Sequence, residues 1–130
     1  MNANGTFEIQ ARLEPPFLEN EAVTIARASF DKQFSGALEG TSQVHMLGAR
    51  AKAPGSAGYG AVEHFTGTLD GRSGSFALVH LGLMGRGAPS LTIKIVPDSG
   101  TDQLAGISGE MTIEVSGGKH SYSLSYELPA

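Results

Sequence analysis

The chain has no cysteine and no tryptophan, and only 17 % of its 130 residues are charged. Without cysteine there can be no disulfide scaffold, thiolate zinc site, iron–sulfur cluster or cysteine nucleophile. Sustained 3.6-residue periodicity is also missing, and only Thr101–Gly106 reads as a helical turn. No apolar run approaches the ~20 residues of a membrane helix. The start, Met1-Asn2-Ala3-Asn4-Gly5, lacks the basic and apolar regions of a signal peptide, so a cytoplasmic location is expected. A formal charge of −4 with no basic cluster argues against nucleic acid as a partner. A hydrophobic content of 40 % is too high for a disordered chain, and the length suits one domain but not two. Residues 1–130 are therefore read as a single domain.

What the chain has in excess is glycine: 18 residues, about 14 % and roughly twice the usual share, without the one-in-three period of collagen. The glycines punctuate alternating segments. Strands are expected at 5–13, 22–34, 40–52, 58–69, 74–83, 90–96, 107–116 and 119–128, with tight turns at Gly36, Gly71 and Gly117-Gly118. A two-residue turn at Gly117-Gly118 sets Val115, Ile113, Met111 and Gly109 opposite His120, Tyr122, Leu124 and Tyr126. Every apolar side chain then falls on one face, as a correct register requires. Treating Asp70–Ser73 as a four-residue loop sets Phe65 opposite Leu78, Gly67 opposite Phe76 and Glu63 opposite His80. Aromatic rings over strand glycines suit a strongly curved sheet. Eight antiparallel strands of this kind favour a closed β-barrel, which removes sheet edges; a two-sheet sandwich is the alternative.

Several strings resemble a known family: Thr24–Ser29, Phe34–Ser42, Phe65-Thr66-Gly67-Thr68-Leu69-Asp70-Gly71-Arg72-Ser73-Gly74-Ser75-Phe76, His80 and Pro97–Ile107. Together they are similar to a bacterial family of domains of unknown function within the allene oxide cyclase-like barrel superfamily, over nearly the whole chain. The resemblance implies an eight-stranded antiparallel barrel and no particular activity. Allene oxide cyclases cyclise a fatty-acid epoxide in an apolar cavity, but no cyclase motif matches here position by position.

The residues that could carry chemistry are few. Glu63 and His80, facing each other among Phe65 and Leu78, form a candidate catalytic acid/base pair inside an apolar interior, or a structural hydrogen bond there. A loop slip of two residues would instead oppose Glu63 to Leu78. Tyr59, Tyr122 and Tyr126 could steady a ligand oxygen or anchor the core by their hydroxyls, and with Phe65 and Leu78 they complete the candidate ligand-binding set. The four histidines (His45, His64, His80, His120) show no metal-ligand spacing, so no metal is expected. Gly82–Gly87 reads as a loop at the barrel mouth rather than a phosphate cradle, Arg72 as a turn residue, and no nucleophile elbow is present.

Strand 74–83 is apolar on both parities, with Ala77, Val79, Leu81 and Leu83 on one and Phe76 and Leu78 on the other. A barrel has only one interior, so the outer face calls for a second subunit, most economically in a dimer. The functional expectation is a barrel that binds a small apolar ligand. Its enzymatic version is a cyclase or isomerase that needs no cofactor, since such reactions require proton transfer and substrate shape. The alternative is a non-catalytic interaction or stress-associated barrel filled by its own side chains.

Overall fold

Period-2 alternation and left-handed turn residues together produce nine strands in the computed structural model, which describes residues 1–129. They are β1 (Asn2–Leu13), β2 (Leu18–Glu19), β3 (Val23–Gly36), β4 (Leu38–Ala51), β5 (Ala57–Leu69), β6 (Arg72–Gly85), β7 (Ala88–Ile95), β8 (Ser108–Ser116) and β9 (Lys119–Glu127). A 3₁₀ turn at Asp102–Leu104 lies within the stretch expected to be helical. Around the sheet the order is β1-β9-β8-β7-β6-β5-β4-β3, and β1 pairs back onto β3. Eight antiparallel strands thus close a barrel, with β2 a two-residue strip laid on β3. Among the described residues no helix is long and apolar enough to cross a membrane.

The turns decide the register. Gly117 and Gly118 both have positive φ (59° and 78°), as a two-residue hairpin turn of the favoured twist requires. The last hairpin pairs Val115 with His120, Ile113 with Tyr122 and Gly109 with Tyr126, as the alternation predicts. The β5–β6 hairpin differs from expectation by two residues. Asp70 adopts φ 49° ahead of Gly71 at 83°, so Asp70-Gly71 alone makes the turn. Short polar Asp tolerates the left-handed region, which a four-residue loop would not have needed. Phe65 therefore faces Phe76, Gly67 faces Gly74, and Glu63 faces Leu78, while His80 lies opposite Ala61. The Gly82–Gly87 segment is also corrected: Gly82–Gly85 continue β6, and only Arg86-Gly87 turn, both at positive φ. Within that ladder position 82 needs glycine, because the Tyr59 ring lies where a Cβ would be, 2.2 Å from the nearest ring carbon.

One end of the barrel interior is filled. Phe34 packs at a tilt against Phe7 (5.4 Å between ring centres) and meets Phe65 and Tyr122 edge-on at 5.5 Å, while Phe65 continues to Phe76 at 5.3 Å. Leu38, Leu69, Leu104 and Ile107 close that end, all essentially without exposed surface. Such edge-on pairs add to the burial of large apolar rings. The sharp bend there needs glycine at Gly67, where φ is +156° and a Cβ would sit 2.1 Å from the Glu39 carbonyl oxygen. A strand glycine can otherwise be open: a Cβ at Gly48 would make ordinary contacts alone, with Met46 and Tyr59 carbons and the Gly58 carbonyl oxygen at 3.7–3.9 Å. Gly67→Ala should therefore destabilise by about 2–4 kcal/mol, through strain and clash. Gly48→Ala should lie within about 0.5 kcal/mol of the parent or be slightly stabilising. Urea unfolding of both variants checks the contrast, which fails if the two behave alike.

Candidate functional site

The inward positions of β3 run Phe30, Lys32, Phe34, placing one lysine between two rings. Lys32 is only 6 % exposed, and its Nζ lies over the Phe7 ring at 4.6 Å, where the negative face of the ring attracts the ammonium. On β4 the inward series places Ser42, and on β5 Glu63, which has no exposed surface at all. The three converge. Lys32 Nζ donates to Glu63 Oε1 at 3.3 Å, and Ser42 Oγ donates to Oε2 at 2.5 Å. His80 Nε2 reaches Oε1 at 2.7 Å across the β5–β6 ladder. The two-residue slip of register leaves this contact intact, because diagonal neighbours on one face remain within reach of long side chains. The sequence singled out Glu63 and His80 and missed Lys32 and Ser42. Lys32 was detectable as the one charge flanked at i±2 by phenylalanines in an expected strand.

Burial pushes the Glu63 carboxyl up, but the His80 hydrogen bond, the Lys32 charge and the Ser42 hydroxyl together outweigh it and hold the group below the usual carboxylate range. Glu63 is thus an anion in the middle of the barrel. An anionic Glu63 makes His80 Nε2 the donor, which leaves Nδ1 as the second ring nitrogen to account for. No hydrogen-bond partner meets Nδ1 among the described residues, and none of their polar side-chain atoms is both sealed and unpartnered. Nδ1 therefore keeps a little exposed surface.

Above this belt, at the end bearing the Arg86-Gly87 turn, the barrel opens into a cavity of about 560 Å³ lined by Leu13, Ala28, Met46, Gly48, Tyr59, Gly82 and Leu91. Its lining is mostly apolar and does not include His80, and its size suits a small organic molecule. Tyr59 stands in its wall, with its ring on Gly82 and no hydroxyl partner among the described residues. Burial first, and then the Glu63 charge, raise the Tyr59 phenol above its ordinary value, so it stays protonated. The other candidates lie elsewhere. Phe65 and Leu78 are buried in the packed half and beside Glu63. Tyr122 Oη accepts from Leu38 N at 2.8 Å and donates to the Ser35 carbonyl, and Tyr126 donates to Asp70. Burial and the Asp70 carboxylate push Tyr126 up to about 12. His45 and His64 point outward and are exposed, while His120 packs beside Phe7 with ring centres 5.2 Å apart. Among the described residues no three His, Asp or Glu side chains converge to hold a metal ion.

A carboxylate held low in the folded state contributes stability above its unfolded value near 4.5 and loses it as the pH falls through the lower folded value. Glu63→Gln leaves Lys32 buried without its counter-charge and should cost about 3–5 kcal/mol at neutral pH. The gap between parent and variant should then narrow steadily below pH 4.5. Urea titrations across pH 3–8 measure it, and a gap independent of pH would contradict an ionised Glu63.

A search among curated proteins finds no match to the chain. A solved structure of a protein of unknown function from the DUF3224 family of Shewanella oneidensis MR-1 is 37 % identical, covering all of this chain and 98 % of that one, with a TM-score of 0.94. The family described as proteins of unknown function, DUF3224, matches residues 3–126. The barrel described above is thus that of a DUF3224 protein, and this chain belongs to that family.

Proposed function

We propose that the barrel binds a small apolar molecule in its open half and handles a proton there. The observation that carries this reading is the partition of the interior. Aromatic side chains fill one half, whereas about 560 Å³ stays open in the other, above an ordered polar belt. A barrel needing only its own core would have no use for an unfilled apolar cavity, since each void forfeits packing. The finer assignment follows the chemistry of the accessible atoms. Glu63 is sealed, so it acts as the positioning residue that fixes the His80 tautomer and stabilises an imidazolium. Tyr59, in the cavity wall, is the phenol free to donate to a developing oxyanion. His80, in the belt beneath the cavity and outside its lining, takes the proton at Nδ1 from a ligand that extends to it. Proton removal beside a carbonyl, with return of the proton elsewhere, is isomerase or cyclase chemistry. It agrees with the allene oxide cyclase-like architecture suggested by the sequence.

Two measurements test the reading. Bis-anilinonaphthalene sulfonate should gain fluorescence with the parent protein, and Gly48→Leu, which places a side chain in the cavity, should weaken binding at least tenfold without lowering the melting temperature. Equal binding by both proteins would sink the cavity assignment. For the proton step, 2-tetralone in D₂O should gain deuterium beside its carbonyl faster than in buffer alone. That gain should vanish in His80→Gln and drop in Tyr59→Phe. Exchange at the buffer rate would remove the catalytic part and leave binding to stand on the first measurement.

A further inference from the structure

The outer wall of the barrel is divided as sharply as its interior. On β1, β3, β8 and β9 the outward positions carry polar and charged groups, among them Glu8, Asp31, Glu110 and Glu114. The wall formed by β4, β5 and β6 instead presents Leu47, Val62, Val79, Leu81 and Leu83, each between 45 and 57 % exposed. In register they form adjacent rows, Leu47–Gly60–Leu81 beside His45–Val62–Val79. The outward positions of β4–β6 from residue 43 to 49, 58 to 64 and 77 to 83 include no Asp or Glu.

We propose that this wall is a two-fold interface between two copies of the chain. Three features select a second copy as the occupant. Within those ranges the outward positions carry no carboxylate; the nearest fixed charges are Arg27, opposite Leu47 on β3 with Glu14 beside it, and Lys94, opposite Val79 on β7. Charges of both signs thus flank the face and leave its apolar centre free of like-charge repulsion. Gly60 leaves a notch between Leu47 and Leu81, since a Cβ there would meet nothing within 4 Å. A two-fold axis near Gly60 seats each Leu81 in the opposite notch, as a self-complementary interface requires. The five aliphatic side chains offer on the order of 400 Å² per copy, so two copies bury about 800 Å² from them alone. With the flanking small residues this reaches the roughly 1,000 Å² at which specific association begins. The Glu63–His80 belt faces inward and stays clear of the interface, and of the five aliphatic residues only Leu83 also lines the cavity.

Sedimentation equilibrium at tens of micromolar protein tests the proposal. The expected mass is twice the 13.5 kDa of one chain. Gly60→Glu and Leu81→Lys both alter exposed outward positions, and each should return the protein to one-chain mass with its circular dichroism unchanged. A parent protein of one-chain mass would overturn the proposal, as would a dimer that survives both substitutions. A monomeric parent that floats with phosphatidylcholine vesicles would overturn it in favour of a lipid surface.

Discussion

An ionised carboxylate with no exposed surface, placed at the waist of a small barrel, has to be answered from within the fold. Glu63 imposes that demand, and Lys32, Ser42 and His80 meet it from three further strands. A lone buried charge is costly, and a paired one is retained only where good geometry and further hydrogen bonds offset desolvation. The belt therefore ties together β3, β4, β5 and β6, which a purely apolar interior would hold only by shape. It also forms the boundary between the filled and open halves of the barrel.

That boundary gives the structure its functional polarity. Below it, tyrosine hydroxyls are tied to backbone and to Asp70, so the rings act as rigid filler. Above it, Tyr59 keeps unassigned hydrogen-bonding capacity beside apolar walls, and one nitrogen of His80 stays unpartnered in the belt itself. Residues of the same type thus have different chemical freedom according to the half they occupy. Parity along a strand cannot distinguish the two halves, because both lie on the inner face.

Much of this was legible in the amino-acid order, for reasons specific to particular residues. The last hairpin was readable because Gly117-Gly118 leaves only one good register for the alternating apolar positions of its two strands. The β5–β6 register was not, because Asp70 occupies a left-handed conformation that sequence alone assigns more readily to glycine. Glu63 and His80 were found through facing parity, and Lys32 was overlooked because a lysine in a strand is ordinarily solvated. The partners of Tyr122 and Tyr126 are 84 and 56 residues away, on strands whose adjacency follows only from the closed ring. The expected aromatic cover over Gly67 is absent, yet the same device appears at Gly82 beneath Tyr59.

Ring closure also governs how the chain must fold. Consecutive long strands pair throughout β3 to β9 as a simple meander, so most of the ladder forms between neighbours in sequence. The exception is β1, whose residues 2–7 must find residues 120–125. Local hairpins form quickly, whereas that single distant pairing carries the loop-closure cost of the whole chain. Until it forms, β1 and β9 leave raw sheet edges, open to pairing with other chains. The strand that completes the barrel is thus also the one that ends its exposure to misassembly.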